Sequence, residues 1–322
     1  MKRERLKRCA EFVEAMKDIR DIFAGDIFKG KVAFDEPMKK HTTLRIGGPA
    51  DIYAVPDDVI SMRSLLLTLK DSGIPVIPIG GGSNLLVTDE GIEGAVLSVV
   101  SFNRIEMIKD DDDGVRLFVE AGVPLQRLIN LSKDRGYKGI EGLAGIPGTI
   151  GGAIKGNAGS FGFELSDVIE SVALIDIGGR IFQAKGDDLN FGYRSSGIPD
   201  GAVILSANIR LEKDSPEDVD RRINAFLQDK RKKQPLSEHS AGCVFKNPDE
   251  GPAGRLIDEA CCKGMRRGDI EVSSLHANFF INRGDGKASD FLGLMEDVKE
   301  RVFRLFGIEL EPEIRIVGRY VN

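Results

Sequence analysis

Apolar positions recur along this chain in two rhythms, a helical step and a strand-like run, and the alternation between them predicts most of its elements. Over residues 4–23, Leu6, Cys9, Phe12, Val13, Met16, Ile19 and Phe23 fall near helical spacing and predict an amphipathic helix packed on the body of the protein. From Asp51 the pattern turns α/β: Ile52, Tyr53, Ala54 and Val55 suit a strand, and Pro56-Asp57-Asp58 opens a helix striped by Val59, Met62, Leu66 and Leu69. Gly73 stops that helix, IPVIPIG follows as a short strand, and a further apolar run covers Ala95–Val100. Phe102–Ile108 and Val115–Glu120 flank KDDDDG, where Asp113-Gly114 signals a hairpin turn; aspartates at a hairpin tip read as solvated charge, and no metal site is expected. Pro124 opens a helix through Leu125, Leu128, Ile129 and Ser132, closed by Gly136. After a glycine-rich stretch over 139–162, strands are expected around 168–177, 180–183 and 202–211.

Ser215-Pro216-Glu217-Asp218 combines an N-cap, a proline at the first helical position and early acids. The helix it opens runs to about Lys233 with Val219, Ile223, Phe226 and Leu227 inward, and the break at 212–215 reads as a domain boundary. Beyond it, helices near 252–263 and 288–306 precede a terminal strand over 313–317.

Composition narrows the class. With 322 residues, 41% hydrophobic and 30% charged, the chain can bury a core and is neither disordered nor a small disulfide scaffold. Its 45 basic and 51 acidic residues give a net charge of −6, which disfavours a nucleic-acid partner. The four cysteines and three histidines show no zinc spacing. Residues 1–19 lack the apolar core of a signal peptide, and no run is long enough to span a membrane, so the expected setting is the cytoplasm.

Candidate chemistry lies in five segments. Gly80-Gly81-Gly82-Ser83-Asn84 directly follows an apolar strand, and glycines there let backbone N–H groups converge on a phosphate. Residues 142–159, GLAGIPGTIGGAIKGNAG, suggest backbone laid along an extended cofactor; Pro147 inside the run argues against a dinucleotide fingerprint. Arg194, in GYRSSG, can hold a carboxylate bidentately, and Cys243, in AGCVFKNP, can donate a proton. Glu313 and Arg315 share one face of the last strand, Ile314 and Ile316 the other. Taken singly, Arg194 also fits a surface ion pair, Cys243 an inert apolar site and Glu313 a solvated edge.

Taken in order, TTLRIGGPAD (42–51), IGGGSNLLVTDEGI (79–92), GLAGIPGTIGGAIKGNAGSFG (142–162), YRSS (193–196), KKQPL (232–236), AGCVFKNP (241–248), HANFFIN (276–282) and LEPEIRIVG (310–318) resemble the UDP-N-acetylenolpyruvoylglucosamine reductase family. The resemblance spans about residues 34–322 and implies an α+β chain: a two-lobed FAD-binding domain of the vanillyl-alcohol-oxidase type and an α+β substrate domain. The expected organisation is a helical extension over 1–33, the FAD-binding domain over 34–212 with its lobes divided near 97–110, and the substrate domain over 213–322, its last strand returning to the FAD domain.

The resemblance also implies residue roles. FAD is bound by Arg45, by Gly80, Gly81, Gly82, Ser83 and Asn84, by Gly145, Ile146, Pro147, Gly148, Thr149, Gly151 and Gly152, and by Asn157. NADPH reduces the flavin, and hydride then passes to the methylene carbon of UDP-N-acetylglucosamine enolpyruvate. Arg194 and neutral Glu313 stabilise charge on the substrate carboxylate, and Cys243 protonates the α carbon, a position that is serine in many relatives. A thiol there implies sensitivity to alkylating reagents, with protection by substrate. Tyr193, Lys233 and Asn247 are the implied substrate contacts, and His276 carries no clear role. The chain between Ser196 and the 216–233 helix leaves no room for the extra substrate-closing loop of the family's longer variant. A monomer is expected. An oxidase of the same fold acting on a hydroxy acid or alcohol, and a non-catalytic flavin- or UDP-sugar-binding relative, are the other readings.

Overall fold

The structure, a computed structural model, describes residues 28–319, so the helix expected over 4–23 lies outside the described residues. The first lobe is a four-stranded sheet in the order β1-β2-β5-β3, formed by β1 (Gly30–Pro37), β2 (Pro49–Pro56), β3 (Val76–Ile79) and β5 (Ile92–Ser98). β1 is antiparallel to β2, while β2, β5 and β3 run parallel. Helix α1 (Val59–Asp71) makes the crossover, its Asp58 side chain accepting a hydrogen bond from Ser61 N–H at 2.7 Å. That cap satisfies one of the free donors at a helix start, which is why the expected PDD signal is read correctly. A short strand, β4 (Leu85–Val87), lies between β3 and β5 in sequence.

The second lobe is an antiparallel sheet of β6 (Ile105–Asp111), β7 (Gly114–Glu120), β11 (Ile169–Ile175), β12 (Ile181–Lys185) and β13 (Val203–Lys213), ordered β12-β11-β13-β7-β6. Tyr137–Lys138 (β8) adds to the edge of β13, and residues 159–160 and 163–164 form a small β9–β10 ladder. Helix α2 (Leu125–Arg135) ends where Gly136 turns left-handed at φ 67°, a conformation glycine adopts without strain. The glycine-rich stretch hides one short helix, α3 (Ile150–Lys155), which the glycines concealed from the sequence pattern. Gly151 within it is required by packing, because a Cβ there would come within 2.9 Å of the Ala121 Cβ.

One apolar core joins the two lobes, running from Ile52, Met62 and Leu66 through Leu117, Leu128 and Ile150 to Leu211. Val219 and Ile223 of helix α4 (Pro216–Lys233) belong to that same core, with Leu227 packed at its edge. The helix expected to open the substrate domain is therefore part of the flavin-side body. Its capping signal marks where a helix starts, and caps carry no information about which core receives the apolar stripe.

The C-terminal unit has its own core, in which Phe245, Leu256, Phe280, Phe291, Leu294 and Val298 come together. It contains α5 (Ala253–Glu259), the β14–β15–β16 sheet (Arg266–Arg267, Ile270–Val272, Phe280–Asn282) and α6 (Ala288–Phe306). The helix expected to reach 263 stops at Glu259, and Cys261 takes a left-handed φ of 55°. Leu44, Ile46 and Leu86 from the first lobe also enter this core, so the two units are packed together. The last strand, β17 (Arg315–Val317), crosses back to pair in parallel with β4, Arg315 opposite Leu85.

Candidate active site

Three segments far apart in sequence converge on one cluster. Tyr193 and Arg194 sit at the centre of a two-residue turn closed by reciprocal backbone bonds between Gly192 and Ser195, at 3.2 and 3.1 Å. Arg194 has φ 54°, a left-handed conformation that costs a non-glycine residue on the order of 1 kcal/mol. The turn points its guanidinium at Glu313, with Arg194 Nε donating to Glu313 Oε1 at 2.5 Å and Nη2 to the Gly159 carbonyl at 3.2 Å. Two of the five guanidinium donors are thus used, and the rest are free to take a bidentate anion.

Glu313 is held from both sides by backbone. Its N–H donates to the Val244 carbonyl at 2.8 Å, and its carbonyl accepts from Asn84 Nδ2 at 3.1 Å. The Asn84 carbonyl in turn accepts from Arg315 N–H at 3.0 Å, so the glycine loop and the last strand fix each other. Burial pushes the Glu313 carboxyl above the ordinary carboxylate range, against the opposing pull of Arg194. The residue is not the solvated edge glutamate that an amphipathic strand allows.

Cys243 precedes Val244, whose N–H donates to the Asn278 carbonyl at 2.8 Å; Asn278 also clamps Phe245, donating to its carbonyl at 2.8 Å and accepting from its N–H at 2.9 Å. Burial pushes the Cys243 thiol up to about 12, reinforced by the Glu313 charge and opposed by Arg194. The three groups therefore form one electrostatic unit, and Cys243 carries its proton at neutral pH. This changes the expected alkylation chemistry, because only the thiolate attacks. Raising the thiol from about 9 to about 12 lowers its thiolate fraction near neutral pH by roughly a thousandfold and slows labelling of Cys243 accordingly. Peptide mass spectrometry after iodoacetamide treatment near neutral pH is expected to find exposed Cys261 modified well before Cys243 and activity retained; labelling of Cys243 at the rate of Cys261 would sink this.

The two glycine segments lie against each other. A Cβ on Gly80 would come within 2.2 Å of Thr149 Oγ1, one on Gly81 within 3.0 Å of Gly148 Cα, and one on Gly82 within 1.9 Å of the His41 carbonyl. Glycine is needed here first for loop-on-loop contact, whereas the sequence suggested only approach to a cofactor. Ser83 Oγ donates to the Pro147 carbonyl at 3.1 Å, and Thr43 N–H donates to the Gly82 carbonyl at 3.2 Å. Among the described residues, the backbone N–H groups of Gly81, Gly82, Ser83 and Asn84 have no partner. A row of unspent N–H donors between two loops stripped of Cβ atoms fits the pyrophosphate of a dinucleotide such as FAD.

The other expected site residues divide. Arg45 is exposed at φ 55°, on the same loop as Thr43, whose hydroxyl donates to the Ser240 carbonyl at 2.6 Å. Asn157 is buried, with Nδ2 donating to Glu164 at 2.8 Å and to the Gly192 carbonyl at 3.2 Å, and Oδ1 accepting from Ser166 N–H at 3.1 Å. Its side-chain amide is engaged by protein partners, one of them the Gly192 carbonyl of the Arg194 turn. Tyr193 is exposed beside Arg194, and its hydroxyl accepts from Asn247 N–H at 3.4 Å, which brings those two together. Lys233 is exposed and paired with Asp229 at 2.9 Å on its own helix. His276 packs edge-on to Phe279 at 4.9 Å, its ring held below the ordinary imidazole range by burial. Sequence reasoning missed Lys230, which is buried and donates to the Gly142 and Ala144 carbonyls. The signal was present: Lys230 continues the inward stripe of Val219, Ile223 and Leu227 at helical spacing. Among the described residues, no group of three or more His, Cys, Asp or Glu could hold a metal ion, and no helix is long and apolar enough to cross a membrane.

A paired glycine cradle and a proton-bearing cluster define a flavin-dependent oxidoreductase of the α+β, FAD-binding class, and the FAD binding domain family matches residues 50–185. The family "UDP-N-acetylenolpyruvoylglucosamine reductase, C-terminal domain" matches residues 234–317, beginning directly after helix α4. The UDP-N-acetylenolpyruvoylglucosamine reductase of Geotalea uraniireducens (strain Rf4) is 40% identical over 290 residues, covering 90% of this chain and 95% of that one. That of Pelobacter propionicus is 41% identical, covering 90% of this chain and 97% of that one. The crystal structure of the Thermus caldophilus enzyme superposes with a TM-score of 0.76 at 33% identity, covering 90% of this chain and all of that one. The chain belongs to the UDP-N-acetylenolpyruvoylglucosamine reductase family.

Proposed function

We propose that this chain reduces the enolpyruvyl ether of UDP-N-acetylglucosamine enolpyruvate to UDP-N-acetylmuramate, with Arg194, Glu313 and Cys243 as its catalytic residues. The observation that carries the assignment is the Arg194–Glu313–Cys243 cluster beside the glycine cradle. Gly80 to Asn84 and Gly145 to Gly152 would hold FAD, and Arg45 its polar edge. Bound FAD, reduced by NADPH, supplies the hydride that adds to the methylene carbon.

Addition there drives the electron pair of the double bond toward the substrate carboxylate. The free guanidinium donors of Arg194 meet that charge, and protonated Glu313 donates a hydrogen bond to it. The Cys243 S–H then gives its proton to the α carbon, completing a new C–H bond on each carbon of the former double bond. The thiolate left behind, whose conjugate thiol titrates at about 12, is a strong enough base to recover its proton from water. Tyr193, Asn247 and Lys233 would contact the substrate, and Lys233 has only a surface ion pair of small worth to give up.

All three catalytic groups come from one chain, which supports a monomer as the working unit. The proposed substrates, a nucleotide sugar and NADPH, support a cytoplasmic setting. The test is NADPH oxidation by flavin-loaded protein with and without UDP-N-acetylglucosamine enolpyruvate. Strict dependence on that compound is expected; oxidation that consumes oxygen without it would favour the oxidase, and none at all a binding relative.

A further inference from the structure

Helix α4 buries a cation with no carboxylate to balance it. Lys230 is 3% exposed, and its Nζ donates to the Gly142 carbonyl at 3.1 Å and the Ala144 carbonyl at 2.5 Å. The third direction is covered by the face of Phe161, whose centroid is 5.5 Å away and whose ring stacks on Phe226 at 4.8 Å. A buried ammonium without a counter-ion is costly, so a fold that keeps one must use it. The carbonyls it holds open the glycine segment 142–152, one wall of the cradle. Gly145, at φ 81°, sits so close that a Cβ would lie 3.4 Å from Lys230 Cδ and 3.1 Å from Leu227 Cδ2.

We propose that Lys230 is the positioning residue of the flavin-binding segment: its ammonium pins the Gly142 and Ala144 carbonyls, and FAD affinity depends on that clamp and on its charge. Two bonds to backbone two residues apart fix the peptide planes leading into Gly145, which is half-buried. The positive charge also has the sign that a pyrophosphate in the neighbouring cradle prefers. The nearby carboxylates are committed elsewhere: Glu141 accepts from Arg222 at 2.9 Å and from Gly139 N–H at 2.6 Å, Asp229 pairs with Lys233, and Glu164 accepts from Asn157. On its own helix, Arg231 and Lys232 are exposed.

Burial lowers the Lys230 ammonium to about 8, which gives the clamp a pH signature. Below that point the charge is present and FAD binds tightly. As pH rises through it, the empty protein loses the proton that the flavin-bound form favours, and affinity falls.

The inference rests on the flavin reading of the glycine segments, and its test separates the two. FAD dissociation constants are measured by quenching of flavin fluorescence on apoprotein from about pH 6.5 to about pH 9, for wild type, Lys230→Met and Lys230→Arg. Wild-type affinity is expected to fall about tenfold across this range, one unit of linked proton affinity. Lys230→Met is expected to bind about tenfold or more weakly at neutral pH, the worth of charge-assisted bonds, with a flat profile. Lys230→Arg, always charged, is expected to bind tightly and also without pH dependence.

Wild-type-like affinity and slope in Lys230→Met would overturn the inference. Should Lys230→Met fail to fold, Lys230→Arg decides: a flat profile supports the clamp, and a persisting fall overturns it. Failure of wild-type protein to bind FAD at any pH would overturn the flavin reading instead.

Discussion

Replacing Cys243 by alanine is expected to lower kcat for enolpyruvyl reduction by about 10²–10⁴-fold, the usual worth of a positioned general acid. The loss should fall equally on kcat and kcat/KM, because the thiol proton is used only as the transition state is passed. NADPH-driven bleaching of the bound flavin, which involves no proton from this residue, should keep its wild-type rate. Stopped-flow traces with and without substrate separate the two half-reactions. Cys243→Ser restores a proton donor at the same position and should recover most of the activity. Folding is not at stake, since the segment is held by the Asn278 clamp on Phe245 and the Val244–Asn278 backbone bond. Wild-type turnover in Cys243→Ala would remove the thiol from the mechanism and leave water as the proton source.

The helices of the flavin side were legible because their ends are written in local chemistry. Asp58 and Ser215 accept from the N–H three residues on, and Gly136 supplies the left-handed stop. The allegiance of α4 was not legible, because the face that receives Val219 and Ile223 is built by α2 and the turn at Glu141–Leu143, about 80 residues earlier. The residues proposed as catalytic could be named from motif order alone. Their mutual geometry could not, since Arg194 and Glu313 are 119 positions apart and Asn84 and the Glu313 carbonyl 229. The glycines pointed to a cofactor, yet at Gly80, Gly81 and Gly82 the atoms that exclude a Cβ are Thr149, Gly148 and His41. Lys230 was obscured by company: in a run of lysines and arginines that reads as a solvated helix end, one member turns inward.

Arg194→Met should cost about 10²–10³-fold in kcat, the usual effect of removing one donor from a developing oxyanion, and should raise KM as well because the same group binds the ground-state carboxylate. Arg194→Lys keeps the charge but not the planar fork, so it should recover binding more than turnover. The coupling to Glu313 adds a signature that simple loss of a contact would not produce. In the free enzyme burial raises the Glu313 carboxyl and Arg194 pulls it down. An arriving substrate carboxylate draws the guanidinium to itself and adds a second anion, and both changes push Glu313 further up. Substrate binding by the wild type should therefore take up a proton in the pH range just above that of an ordinary carboxylate, seen as binding enthalpies that vary with the ionisation enthalpy of the buffer. In Arg194→Met the downward pull is already gone, the Glu313 carboxyl is raised further before substrate arrives, and the uptake in that range should vanish. Glu313→Gln should abolish it too, while keeping a hydrogen-bond donor at the same place. Proton uptake that survives in Glu313→Gln would assign the titration to another group and leave Glu313 as a structural partner of Arg194.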